Sequence, residues 1–173
     1  KFNMRVDECR SAAYALKAYA GMEYGKFSET NLRDVPVEVF RKFGDRLPEN
    51  WRKRAEHWFG EYARVEKGAE AWRNGDIEAF GQLSFESGRS SIEKWETGSP
   101  ELKKIYEIMT RTDGIYGGRF SGAGFKGCCM ALIDPSFKEG IFKKVETEYL
   151  AEFPDLRGHY SACICHSADG VKI

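Results

Sequence analysis

At Gly114 the pattern of the chain changes, and that break constrains the fold more than any other feature. Up to about Arg111 nearly every stretch reads as helix; from Gly114 onward short strand-like runs surround a single helix. The runs 115–120 and 128–133 are separated by Ser121-Gly122-Ala123-Gly124-Phe125-Lys126-Gly127. Two short apolar runs joined by a glycine-rich connection read as a β-hairpin. Residues 137–153 form an amphipathic helix with Ile141, Val145, Tyr149 and Leu150 apolar. Residues 160–165 read as a further strand, and 171–173 as the start of one more. The expected architecture is α+β, a helical N-terminal part followed by a small antiparallel sheet covered by helices.

The helical half is punctuated clearly. In residues 5–19, Val6, Cys9, Ala13 and Leu16 fall on one face at helical spacing, and Gly21 and Gly25 end the run. Pro36 opens a short helix over 37–43. After Pro48 a long helix is predicted over 51–72, with Trp51, Ala55, Trp58, Phe59, Tyr62 and Val65 as its apolar stripe. Asn74-Gly75-Asp76 is a stop followed by a cap for a helix over 77–87. Ser99 and Pro100 start another, through Leu102, Ile105, Tyr106 and Met109.

At 173 residues the chain suits one domain over 1–173. Lys plus Arg and Asp plus Glu are 27 each, so there is no electrostatic footprint for nucleic acid. No apolar run approaches the ~20 residues that span a bilayer, and residues 1–5 lack the apolar core of a signal peptide. The expectation is a cytoplasmic protein without a membrane partner. The chain opens at Lys1 rather than Met and reads as a piece from which an N-terminal part has been removed. Cys9, Cys128, Cys129, Cys163 and Cys165 are odd in number with no C-x-x-C spacing, which indicates neither a disulfide framework nor a zinc ribbon. Cys163, Cys165 and His166 could be imagined as a metal site, but buried free thiols on strands are the ordinary reading, and no metal is expected.

Gly122-x-Gly124-x-x-Gly127 formally matches a dinucleotide-binding fingerprint. That fingerprint works because a helix follows it and presents free N–H groups to pyrophosphate, whereas here a strand-like run follows. No G-x-x-x-x-G-K-[ST] phosphate loop exists in the chain. A plain turn would need glycine only for positive φ. The glycines at 117, 118, 122, 124 and 127 exceed that need and point to a place where backbone approaches a ligand or another domain. Elsewhere the signals are bland. Arg41, Lys42, Arg46, Arg52, Lys53 and Arg54 alternate with Asp45, Glu49 and Glu56, as on a solvated helix face. His57 reads as packing or surface, and the tryptophans as core or domain interface. Glu61, Glu86 and Glu96 have no partner at acid–base spacing.

The stretch from Tyr116 to Cys128 resembles the third motif of the GHMP kinases in its galactokinase form, G-x-R-M-T-G-G-G-F-G-G-C. Other segments agree in order and spacing. Phe2-Asn3-x-Arg5-x-x-x-Cys9 is similar to Y-N-x-R-x-x-x-C, and Leu32-Arg33-Asp34-Val35 to L-R-D-V. Glu86-Ser87-x-x-Ser90 with Pro100-Glu101-Leu102 resembles E-S-H-x-S and P-E-L, and Ala168-Asp169-Gly170-Val171 resembles the terminal A-D-G-A. The resemblance covers essentially the whole chain. It implies a ferredoxin-like GHMP C-terminal domain of an ATP-dependent sugar 1-kinase that phosphorylates the anomeric hydroxyl of a hexose or hexuronic acid.

By the same resemblance, the substrate-binding or active-site residues are Phe2, Asn3, Arg119, Ser121, Gly122, Ala123, Gly124, Phe125, Lys126 and Gly127. The catalytic base and its partner Arg belong to a preceding N-terminal kinase domain, the implied partner, with ATP and Mg as cofactors of the whole enzyme and a small sugar as substrate. This chain alone is expected to transfer no phosphate. Phe2 replaces the family tyrosine and removes a hydroxyl near the sugar. Together with the variant loop Arg-Phe-Ser-Gly-Ala-Gly-Phe-x-Gly-Cys-Cys, this resembles plant-type galacturonokinases and points away from galactose. Lys126 is either a solvated loop-tip residue or the partner of a substrate carboxylate. The alternative function is a non-catalytic sugar sensor of the same ancestry, and a third reading is an unrelated α+β binding module. The loop is expected to serve catalysis more than folding, so that Gly124→Val should cost little stability.

Overall fold

The computed structural model describes residues 2–166 and 169–170, with the Phe2 side chain outside that description. Helix α1 (Phe2–Tyr19) lies against α3 (Glu49–Arg73), with the short α2 (Val37–Phe43) beside them. Ala12, Ala13, Leu16 and Ala55 are fully buried, and Leu32, Val35 and Leu47 close the cluster, rimmed by Trp51, Trp58 and Phe59. Small side chains at the crossing let the helix axes approach, so the aromatic rings pack around the contact rather than within it. Helix α3 ends at Asn74, Gly75 takes φ +71°, and the Asp76 carboxylate accepts from the Ala79 amide at 2.9 Å. Helix α4 (Ile77–Glu93) then returns antiparallel along α3.

A run of small residues decides where α4 goes. A Cβ on Gly81 would overlap the Tyr116 carbonyl, and one on Gly117 would overlap the backbone of Gly81. Gly88 faces the Tyr106 ring and the Gly118 carbonyl in the same way. Helix α4 therefore meets strand β1 (Ile115–Phe120) backbone to backbone. Around that seam Phe85, Leu102, Tyr106, Met109 and Phe120 form a second core, into which α5 (Pro100–Thr110) contributes Leu102, Tyr106 and Met109. The Tyr106 hydroxyl donates to the Phe85 carbonyl at 2.6 Å. Strand β1 pairs antiparallel with β2 (Cys129–Ile133), with Phe120 opposite Cys129 and an irregularity between Ile115 and Gly117. Helix α6 (Lys138–Glu152) packs along α5, with Ile141 and Tyr149 buried.

The α+β reading holds: a helical part precedes a small antiparallel sheet flanked by helices. Four expectations are corrected. Residues 160–165 make no ladder with the sheet, which has two strands among the described residues; residues 161–166 are exposed, and only the Tyr160 ring rests on Tyr149, 5.5 Å between centroids. The alternation there finds no second face to bury against. The start of a strand at 171–173 lies outside the described residues. Tyr62 and Val65 are 58% and 68% exposed rather than core, because α3 outruns α1 and its second half meets α4 through Gly68 and Ala71. Helix α4 continues past Ser87 to Glu93, its serines and glycine buried in the seam. No cysteine is buried on a strand among the described residues: Cys9 on α1 and Cys129 on β2 are half-buried, and Cys128, Cys163 and Cys165 are exposed. No helix among these residues is long and apolar enough to cross a membrane.

Gly81→Val should destabilise the chain by ~3 kcal/mol in urea unfolding, since backbone rather than a movable side chain opposes the new atoms. Gly140→Ala, on α6 with nothing within 4 Å of an added Cβ, should instead gain about 0.5 kcal/mol. Equal unfolding midpoints for the two variants would remove the seam from the account.

Candidate functional site

The Ser121–Gly127 connection is held at its neck, where the Ser121 amide donates to the Cys128 carbonyl at 2.9 Å. Gly122, Gly124 and Gly127 take φ of +79°, +77° and +115°, a region costly for any residue with a Cβ. Their surroundings differ. A Cβ on Gly124 would sit 2.8 Å from the Phe120 ring and 3.0 Å from the Thr97 hydroxyl, whereas one on Gly122 meets nothing within 4 Å. The Gly124 carbonyl also accepts from the Ser99 amide at 3.0 Å. The loop is thus pinned in its middle and open on either side, with Gly122, Ala123, Phe125, Lys126 and Gly127 exposed and Ser121 half-buried.

The pin is the segment 94–99, which is itself built into the helical half. Arg54, 1% exposed, donates to the Glu8 carboxylate at 2.6 Å, to Glu96 at 2.7 Å and to the Lys94 carbonyl. Burial acts to discharge this guanidinium, and its hydrogen bonds to Glu96 and Glu8 outweigh that. Glu96 takes φ +56°, rare for a residue with a side chain. The Glu96 carboxylate is held by Arg54 and Lys53, and its carbonyl accepts from Arg5 at 2.7 Å. Arg5 also donates to the Trp95 carbonyl. The first turn of α1, which carries Phe2 and the exposed Asn3, and the glycine loop are therefore both fastened to the one short segment 95–99.

Arg119 stands on β1, just before the loop, as the strand reading of 115–120 expects. Its guanidinium turns back to Ser87 at 2.5 Å and Glu61 at 3.3 Å. Glu61 also accepts from Ser87 at 2.7 Å and pairs with Arg64. Burial pushes the Glu61 carboxyl up, but hydrogen bonds from Ser87 and Arg64 outweigh it and hold the group below the usual carboxylate range. His57 bonds Ser90 at 2.8 Å on the same helix pair. Burial lowers its imidazole below the ordinary 6.5, against the opposing pull of Glu61, while Arg64 and Arg119 add to the lowering. This network joins α3, α4 and β1 and braces the strand that leads into the loop.

Residues 69–151 match the family model described as GHMP kinases C terminal. The chain carries a GHMP kinase C-terminal domain of the galactokinase kind. It is 39% identical over 176 residues to the galacturonokinase of Arabidopsis thaliana, covering 99% of the chain and 41% of that protein. It is 31% identical over 173 residues to the galactokinase of Homo sapiens, covering 100% of the chain and 40% of that protein. Among solved structures, Lactococcus lactis galactokinase complexed with galactose superposes with a TM-score of 0.75 at 26% identity, covering 88% of the chain and 38% of the other. The GHMP domain chain thus spans about 40% of the length of these curated relatives.

Several of the motif residues that carried the resemblance prove to be framework in this GHMP domain: Arg5 fastens the 95–96 carbonyls, Leu32 and Val35 are core, and Ser87 braces Arg119. Two readings are corrected here: Arg54, expected on a solvated helix face, is buried, and Glu61, expected to lack a partner, is bonded by Ser87, Arg119 and Arg64. The available signal was phase: Arg54 falls at helical spacing between Trp51 and Trp58, and Glu61 lies one turn beyond Trp58 on the same side.

Gly124→Val is therefore expected to cost more stability than the small loss expected from the sequence, because Gly124 is packed. It should lower the unfolding free energy by ~2–3 kcal/mol, and Gly122→Ala by only ~1 kcal/mol, the left-handed penalty alone. A larger melting loss for Gly122→Ala than for Gly124→Val would reverse the assignment. His57, held neutral in the fold, makes stability fall as pH drops below about 6.5, because the unfolded chain then binds the proton first. Urea unfolding followed from neutral to mildly acid pH should show a shallower decline for His57→Gln; an unchanged slope would remove His57 from the acid response.

Proposed function

We propose that this GHMP domain is the substrate-closing part of an ATP-dependent sugar 1-kinase, with an acidic hexose such as galacturonate as acceptor at its anomeric hydroxyl. The observation that carries the reading is the loop: Gly124 is pinned, while Gly122, Ala123 and Lys126 remain open to a ligand. Three features suit an anion there. Backbone at Gly122 is unshielded by any Cβ, the exposed Lys126 has no carboxylate partner among the described residues, and the N-terminal end of α5 sits beside the loop through Ser99. The 39% identity to a galacturonokinase, against 31% to a galactokinase, supports the sugar acid.

In this reading Gly122 and Ala123 would border the phosphates of ATP, which supplies the transferred phosphoryl group. Lys126 would meet the sugar carboxylate, and Asn3 and Phe2 would border the sugar from the first turn of α1. The Arg119–Ser87–Glu61 network keeps β1 from shifting when the loop closes on its ligand, so position is set before the reaction rather than during it. Among the described residues no three His, Cys, Asp or Glu side chains converge as metal ligands. Magnesium would ride on the nucleotide phosphates and on residues of a preceding catalytic part, which would also supply the base.

Coupled ADP release by the parent protein over a sugar panel with MgATP tests this. Galacturonate should be favoured over galactose by about tenfold or more in kcat/KM, ~1.4 kcal/mol of transition-state binding. Lys126→Ala should raise the KM for galacturonate about tenfold and leave that for galactose in place. This chain by itself should turn over neither sugar. A tenfold preference of the parent for galactose would overturn the sugar-acid reading.

A further inference from the structure

A cleft of about 260 Å³ opens in the helical half, away from the glycine loop. Val6, Cys9 and Arg10 line it from one face of α1, Asn31, Leu32 and Arg33 from the turn after Thr30, and Trp58 from α3. None of these belongs to the loop or to the segment 95–99. The walls carry two arginines and no carboxylate. Burial pushes the Cys9 thiol up to about 11, so it is uncharged at neutral pH. The Asn31 side chain is committed, donating to the Glu29 carbonyl at 2.9 Å. The nearest acids are only loosely engaged: Asp7 lies 3.6 Å from Arg10 and Asp34 3.7 Å from Arg33, beyond hydrogen-bond length, and both carboxylates are exposed. Asp34 also accepts from the Asn31 amide at 3.3 Å. The Arg10 Nε–H is buried and has no hydrogen-bond partner among the described residues. A buried donor left unpaired costs free energy, which an acceptor seated in the cleft would recover.

We propose that this cleft binds a small aryl carboxylate, with its carboxylate on Arg10 and Arg33 and its ring against Val6, Leu32 and Trp58. The Nε–H and an Nη–H of a guanidinium form a planar fork that matches the two oxygens of a carboxylate. Phosphate would bring a third oxygen and a second charge into a cleft whose remaining walls are apolar. Leu32 is buried and fixed in the core, and the half-buried Trp58 is held by Phe59 and Tyr62, with ring centroids 4.9 Å and 5.7 Å away. These walls are in place before a ligand arrives, so a rigid ring meets them at little cost in ordering. The volume lies at the small end for ligand sites and suits one ring with its acid group rather than a nucleotide.

Nothing here depends on phosphoryl transfer, so this inference and the kinase reading fail separately. The parent protein is titrated with phenylacetate by calorimetry, with and without galacturonate and MgADP. Saturable one-to-one binding with a Kd of about 1 mM or tighter is expected, unchanged by the sugar and nucleotide. Phenylacetamide, which lacks the charge, and inorganic phosphate, which lacks the ring, should each bind about tenfold more weakly or worse. Arg10→Lys keeps the charge and loses the fork, and should weaken phenylacetate about fivefold or more. Arg33→Gln alters a side chain 76% exposed, which leaves folding in place, and should weaken it about threefold. No saturable binding, displacement by galacturonate, equal binding of phenylacetamide, or full affinity in both arginine variants would each overturn the proposal.

Discussion

The buried guanidinium of Arg54 is the constraint on which the site geometry depends. A charge taken out of water costs several kcal/mol unless it is matched closely, and here Glu8, Glu96 and the Lys94 carbonyl match it from α1 and from the connection after α4. Glu96 can then occupy its left-handed backbone conformation, a strain of ~1–3 kcal/mol that persists only where surroundings over-determine it. Arg54, Lys53 and Arg5 do so from two helices. With Glu96 fixed, Thr97 and Gly98 present a shelf to Phe120 and Gly124, and the Ser99 amide reaches the Gly124 carbonyl. The position of an exposed loop is thus set by a buried charge on another helix.

The second constraint is the close seam between α4 and β1. Gly81, Gly88, Gly117 and Gly118 let two backbones touch, and no side chain could be inserted without displacing main-chain atoms or the Tyr106 ring. Proximity of that order also brings the Ser87 hydroxyl between Glu61 and Arg119, so a polar bridge crosses three elements at the level where β1 enters the loop. Apolar burial alone would hold the helices together without fixing the strand's advance along its own axis. The hydrogen-bonded ion pairs supply that register.

These two devices explain why a resemblance spread over the whole chain is informative although few of its residues can touch a ligand. Arg5, Leu32, Val35 and Ser87 belong to the frame, and a frame of this kind delivers one product: a loop pinned at Gly124 and open at Gly122. The fold that this frame holds is similar to that of the galactokinase of Lactococcus lactis, with a TM-score of 0.75. Residues in the exposed part, Lys126 and Ala123 among them, can then differ without endangering the fold.

Local patterning in the sequence by itself determined the order of the helices and of the two paired strands, the Asp76 and Ser99 caps, the rejection of a dinucleotide fold and the family resemblance. Each rests on spacing or turn chemistry within a few residues, which a linear reading can follow. Only the tertiary structure decided that Arg54 is buried, that Glu61 has partners 26 and 58 residues away, and that Gly124 is packed while Gly122 is open. It also decided that the alternation in 160–165 finds no sheet to join and that Tyr62 and Val65 face solvent. The reason is the same in every case: burial and pairing depend on which distant segment arrives opposite a residue, and helical or strand periodicity carries no information about that.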